Sequence, residues 1–201
     1  KGFVRGEQYA VALALLVDGR VQLGVLGCPH LSHDPARPDG PRGGLFWAAR
    51  GQGAWWQPLD TATGARPIRV TATDDPADAV FCESVESGHS AHGVSARVAA
   101  KLGVRAAPVR LDSQCKYATV ARGAAAVYLR VPTKATYQEK VWDHAAGAVL
   151  VEEAGGRVTD VRGQPLDFSI GRQLTHNVGI VATNGRLHDR VVAAIAAVSA
   201  T

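Results

Sequence analysis

Trp142-Asp143-His144-Ala145-Ala146-Gly147 and, further along, Glu152-Glu153-Ala154-Gly155-Gly156 mark the two ends of one helix. The first group puts a single carboxylate in the opening turn. Apolar residues then run down one face, and Ala145, Ala146 and Gly147 are small enough for a second backbone or a ligand to come close. Gly155-Gly156 predicts the helix end, because glycine enters the left-handed cap conformation at little cost. Two readings of Asp143 stand at this point. A carboxylate at a helix start is favoured by the macrodipole and needs no further role. With small residues behind it, the same carboxylate can also face a bound cation or phosphate.

Outward from this helix, strands and helices alternate. Strands are predicted at 79–83, 108–111, 125–130, 156–161 and 178–182, and helices at 91–102, 113–122 and 187–198. That alternation indicates an α/β layered domain. Towards the start, 9–17 and 21–27 flank Asp18-Gly19 and read as a hairpin. Both runs are dense in Val, Leu and Ala, which predicts strands buried on both faces. Residues 32–44 are rich in Pro, Gly and Asp and read as a surface loop. A second hairpin, 45–49 with 53–57, turns at Arg50-Gly51-Gln52, and 68–71 is a further short strand. Trp47, Trp55 and Trp56 read as packing residues of this sheet. A change of pattern near Asp74–Asp78 divides the chain into a sheet domain at 1–76 and an α/β domain at 77–201.

The chain has 201 residues, 46% of them hydrophobic and 20% charged, within the range of ordinary globular proteins. A formal charge of +4 helps hold an anion but is too diffuse to indicate nucleic acid. The three cysteines, Cys28, Cys82 and Cys115, are odd in number and form no C-x-x-C pair. That excludes a disulfide framework and a zinc site of the usual spacing, and it indicates a reducing, intracellular (cytoplasmic) setting. The apolar run near the start is too short to span a membrane, and the hairpin explains it better than a signal peptide does. The sequence has no methionine and opens directly into structured-looking residues, so it reads as a fragment.

Candidate chemistry gathers where strands pass into helices. Glu83-Ser84-Val85-Glu86-Ser87-Gly88-His89-Ser90 is one such junction. Gly88 lets backbone N–H groups approach a ligand, and His89 and Ser90 can donate to phosphate oxygens, although Ser90 serves equally as a plain helix cap. Asp112-Ser113-Gln114-Cys115-Lys116 repeats the arrangement, with Lys116 one turn beyond Ser113. Arg130 ends an otherwise apolar strand, where its planar fork binds a carboxylate or phosphate or reaches water. The histidines show no metal-ligand spacing, and no Ser-His-Asp order or Gly-rich phosphate loop of known pattern occurs. The residues alone therefore indicate an anion-binding α/β domain with one well-placed carboxylate. They name no reaction.

Several stretches together resemble one family. They are residues 1–11 (Lys-Gly-Phe-Val-Arg-Gly-Glu-Gln-Tyr-Ala-Val), Ser87-Gly88-His89-Ser90, Leu111 to Tyr117, Val127-Tyr128-Leu129-Arg130, Tyr137-Gln138-Glu139-Lys140 and Trp142 to Gly147. The resemblance is to the 3'(2'),5'-bisphosphate nucleotidases of the eukaryotic, salt-tolerance type. These sit among the lithium-sensitive, magnesium-dependent phosphatases that include inositol monophosphatase and fructose-1,6-bisphosphatase. It covers nearly the whole chain and implies that layered fold. It implies Asp143 as a ligand of catalytic Mg2+, and His89, Ser113, Lys116 and Arg130 as residues that hold the nucleotide. Glu152 and Glu153 read as structural.

The implied reaction removes the 3'-phosphate of adenosine 3',5'-bisphosphate, giving AMP and phosphate, with Mg2+ lowering the pKa of the attacking water. Nucleic acid and membranes are not expected partners. One departure stands out: the family's Asp-Pro-Ile-Asp-Gly-Thr metal motif would fall immediately before Lys1. The resemblance thus implies the C-terminal part of such an enzyme, with little or no activity by itself. Two alternatives remain open, an inositol phosphate phosphatase of the same superfamily and a non-catalytic nucleotide-binding module.

Overall fold

The computed structural model describes residues 2–85, 92–134 and 136–199. Two five-stranded sheets and five α-helices account for most of them. After a single helical turn, α1 (Gly2–Arg5), the first sheet is an antiparallel meander: β1 (Val11–Val17), β2 (Arg20–Ser32), β3 (Arg42–Ala49), β4 (Ala54–Pro58) and β5 (Arg66–Ile68). Asp18 and Gly19 both take positive φ, 48° and 73°, as the tight turn between twisted strands requires. The register runs Leu13 opposite Val25 and Val25 opposite Trp47.

The second sheet has the order β7-β6-β8-β10-β9, formed by β6 (Phe81–Glu83), β7 (Val109–Arg110), β8 (Val127–Arg130), β9 (Arg157–Thr159) and β10 (Ile180–Thr183). β6 runs parallel to β7 and β8, whereas β10 is antiparallel to β8 and β9. The helices are α2 (His92–Lys101), α3 (Cys115–Ala121), α4 (Ala145–Glu153) and α5 (His188–Ser199). The α/β layering expected from the alternation is what the chain adopts.

One expectation fails. β1 and its hairpin partner are not buried on both faces. Val11 is 67% exposed, and Leu13, Leu15 and Val17 share its open face. The composition of a strand does not say how many layers cover it. Here α4 covers one side, and nothing among the described residues covers the other. An antiparallel sheet tolerates that asymmetry, whereas a parallel one rarely does.

α4 is the central packing element, and its seven residues Ala145–Val151 are all buried. A Cβ on Gly147 would lie 2.2 Å from the Tyr117 ring, so α4 and α3 approach as closely as they do only because that side chain is absent. Gly155 follows the helix at φ 91° and closes it as expected. Glu152 pairs with Arg50 at 2.6 Å, and Glu153 accepts from the N–H groups of Gly51 and Gly53, so both acids tie the β3–β4 turn to α4. One core joins the two sheets through α3 and α4, bringing Leu26 and Phe46 together with Tyr117, Leu150 and Ile180.

Candidate functional site

A cavity of about 520 Å³ opens where α1, the start of α3, the end of β8 and the start of α4 meet. Ser113, Lys116, Arg130 and Asp143 all line it, so four of the five residues singled out in the sequence converge on one space. The fifth, His89, lies outside the described residues, as does Ser90.

Asp143 is not in the first turn of the α-helix. A 3-10 turn, Val141–Asp143, precedes α4, and His144 stands between them as the N-terminal cap residue. Asp143 therefore ends a separate turn instead of donating its charge along the helix axis. Its carboxylate has no hydrogen bond or ion pair among the described residues. The other cavity carboxylate, Asp112, pairs with Arg5.

Lys116 is not a solvated surface residue. α3 is buried along its whole length, and Lys116 is only 3% exposed. Its Nζ donates to the carbonyls of Leu111 at 3.1 Å and Ser113 at 2.9 Å and lies 5.3 Å from the Tyr128 ring. An ammonium has three donors, so one is left for a ligand. Burial, with Arg130 nearby, pushes its pKa down to about 8. Ser113 takes a left-handed conformation, φ 62°, at the tight passage into α3. The backbone N–H of Cys115 reaches its hydroxyl at 3.4 Å, a weak local bond in place of a full cap.

Arg130 faces a carboxylate as well as the cavity. Its Nε lies 2.8 Å from both oxygens of Glu139, and one terminal nitrogen donates to the Tyr137 hydroxyl at 3.0 Å. Burial opposes its charge, but Tyr128 and Glu139 more than offset that and hold it protonated. Glu139 is also 2.9 Å from His144 Nε2, and His144 Nδ1 is 2.8 Å from the Tyr117 hydroxyl. Burial favours the neutral form of Glu139, yet His144 and Arg130 together hold its carboxyl below the ordinary range. This buried polar chain was not legible in the sequence. Tyr117, Tyr128 and Glu139 stood in recognisable motifs, but no spacing rule links a glutamate in a loop to the last residue of β8.

Gln8 and Gln114 also line the wall. The amide nitrogens of Gln8 and Gln114 donate to His30 O and Trp142 O, each at 2.8 Å. Their amide oxygens are buried without a partner among the described residues.

Residues 1–200 match the inositol monophosphatase family. The chain belongs to that family. The 3'(2'),5'-bisphosphate nucleotidase of Emericella nidulans is 49% identical over 97% of this chain, which covers 59% of that protein. The enzyme of the same name from Schizosaccharomyces pombe is 44% identical over 99% of this chain and 57% of its own length. This chain thus spans less than two-thirds of the length of these relatives. An inositol monophosphatase from Anabaena (Nostoc) superposes with a TM-score of 0.67 at 27% identity, covering 99% of this chain and 72% of that one.

Inositol monophosphatase family phosphatases are generally metal-dependent. The donor set here does not complete such a site. Among the described residues no three His, Cys, Asp or Glu side chains cluster to hold a metal ion. Of the two cavity carboxylates, Asp112 is engaged by Arg5, which leaves Asp143 as the one carboxylate of the cavity outside an ion pair among the described residues.

Proposed function

We propose that this chain carries the nucleotide-binding wall of a 3'(2'),5'-bisphosphate nucleotidase acting on adenosine 3',5'-bisphosphate to give AMP and phosphate. The observation that carries the reading is the convergence of Ser113, Lys116, Arg130 and Asp143 on one cavity. Lys116 and Arg130 supply positive charge for the phosphates. Ser113 supplies a hydroxyl at the same wall. The names of relatives at 43–49% identity support the nucleotide over other phosphate esters. His89 belongs to the same reading as a further nucleotide contact.

Mg2+ is the metal we assign to the reaction, with Asp143 as one of its ligands. The described residues do not complete its site. What these residues do is hold the phosphates and orient the ester, which lowers the entropic part of the barrier. The same deficit supports little or no turnover by these 201 residues alone. Placement inside the cell rests on the three cysteines, all free and buried. No helix among the described residues is long and apolar enough to cross a membrane.

A second reading, an inositol phosphate phosphatase, draws on the similarity to the inositol monophosphatase of Anabaena. Calorimetric titration of the chain with adenosine 3',5'-bisphosphate and with inositol monophosphate separates the two. Tighter binding of the nucleotide supports the proposal. Preference for the inositol ester, or no binding of the nucleotide, overturns it.

A further inference from the structure

We propose that Glu139 is the positioning residue of this site: a buried carboxylate that fixes Arg130 at the cavity wall and, through His144, the junction that carries Asp143. Glu139 does not itself line the cavity and is only 1% exposed. It meets Arg130 through Nε, at 2.8 Å to both oxygens. Tyr137 takes Nη2, and the side chain as a whole lines the cavity. An arginine already ordered in this way loses less conformational freedom on meeting an anion than a free one does.

The second arm runs the other way. A carboxylate only accepts, so His144 donates from Nε2, and in the neutral ring that proton leaves Nδ1 to accept from Tyr117. His144 is the cap residue of α4 and follows Asp143 directly, so the ring that Glu139 holds sits at the base of the cavity carboxylate. The backbone of Glu139 is pinned in turn. Its carbonyl accepts from Leu174 N at 2.9 Å, and Lys140 bridges to Gln173. Glu139 therefore sets two cavity residues at once from a rigid support, which neither motif nor spacing requires of it.

The inference takes its ligand from the nucleotide reading above. The test is a double-mutant cycle on the 201-residue chain, with adenosine 3',5'-bisphosphate as the calorimetric probe. Glu139→Gln is expected to weaken binding on the order of tenfold. In an Arg130→Ala background the same change should cost distinctly less, because one of the two residues through which it acts is gone. Equal factors in both backgrounds overturn the proposal. Should Glu139→Gln not fold, Glu139→Asp, which keeps the charge and shortens the reach, enters the cycle with the same two outcomes.

A ligand-free measurement stands beside it. The 15N signals of the His144 ring in the unsubstituted chain should report a protonated Nε2 and a bare Nδ1. The opposite tautomer overturns the proposal. If the nucleotide does not bind at all, the nucleotide reading falls, and the tautomer alone decides for or against Glu139.

Discussion

Replacing Lys116 with methionine removes the ammonium and keeps the length and bulk of the side chain. In the unliganded protein Nζ spends two of its three donors on the carbonyls of Leu111 and Ser113. The third is the one an anion would meet. A hydrogen bond to a charged group is worth about 1.5–3 kcal/mol, so Lys116→Met should weaken binding of adenosine 3',5'-bisphosphate about 10- to 150-fold at pH 7. The pH dependence is more diagnostic. Burial pushes Lys116 down to about 8, so its charged fraction falls as pH rises through that value. From pH 7 to pH 9 that fraction drops from about nine-tenths to about one-tenth, so the apparent Kd should rise about tenfold. The phosphates lose their last proton near pH 6 and stay constant across this range. Arg130 remains protonated throughout.

Stability should move the other way. The unfolded lysine keeps its proton up to the ordinary value of 10.5, while the folded one releases it near 8. Between these values the unfolded state binds more protons, so stability rises with pH. Calorimetric titrations at pH 7, 8 and 9, with denaturant unfolding at each, measure both trends. The reasoning is refuted if the wild-type affinity is flat with pH, or if Lys116→Met shows the same loss from pH 7 to pH 9.

Three other outcomes are expected. Gly147→Ala puts a methyl group 2.2 Å from the buried Tyr117 ring, so it should cost about 1–3 kcal/mol or more and lower Tm in a thermal melt. An unchanged Tm would show that α3 and α4 separate freely. His188 is buried between the hydroxyls of Thr159 and Thr183, and burial pushes its pKa down to about 4. Its contribution to stability is complete above the ordinary 6.5 and is lost as pH falls towards 4, so His188→Gln should flatten the acid limb of a stability-against-pH curve. Finally, in a form of the protein that turns over adenosine 3',5'-bisphosphate, Asp143→Asn should lower kcat by orders of magnitude, while Lys116→Ala acts mainly on KM. Similar mild effects from both would remove Asp143 from the chemistry.

The local features were legible because their physics is local. The Asp18-Gly19 turn, the Arg50-Gly51-Gln52 turn and the glycine end of α4 depend on backbone preferences a few residues long. The alternation of strands and helices that sets the layered class is equally short in range. Of the candidate site, Ser113, Lys116, Arg130 and Asp143 were each visible as polar residues at strand-to-helix junctions. Their meeting around one cavity needed the whole fold.

What only the tertiary structure decided is how each residue is surrounded. Burial is a property of layers, so sequence alone could not show that β1 presents Val11, Leu13, Leu15 and Val17 to an open face. It could not show that Lys116 lies on a fully buried helix with a weakened hold on its proton. Nor could it show Glu139 reaching both Arg130 and His144, because the contact depends on how a loop folds back onto the end of β8. Sequence set which side chains carry charge and where the chain turns. Packing set which charges lose their water, and that loss decides what they bind.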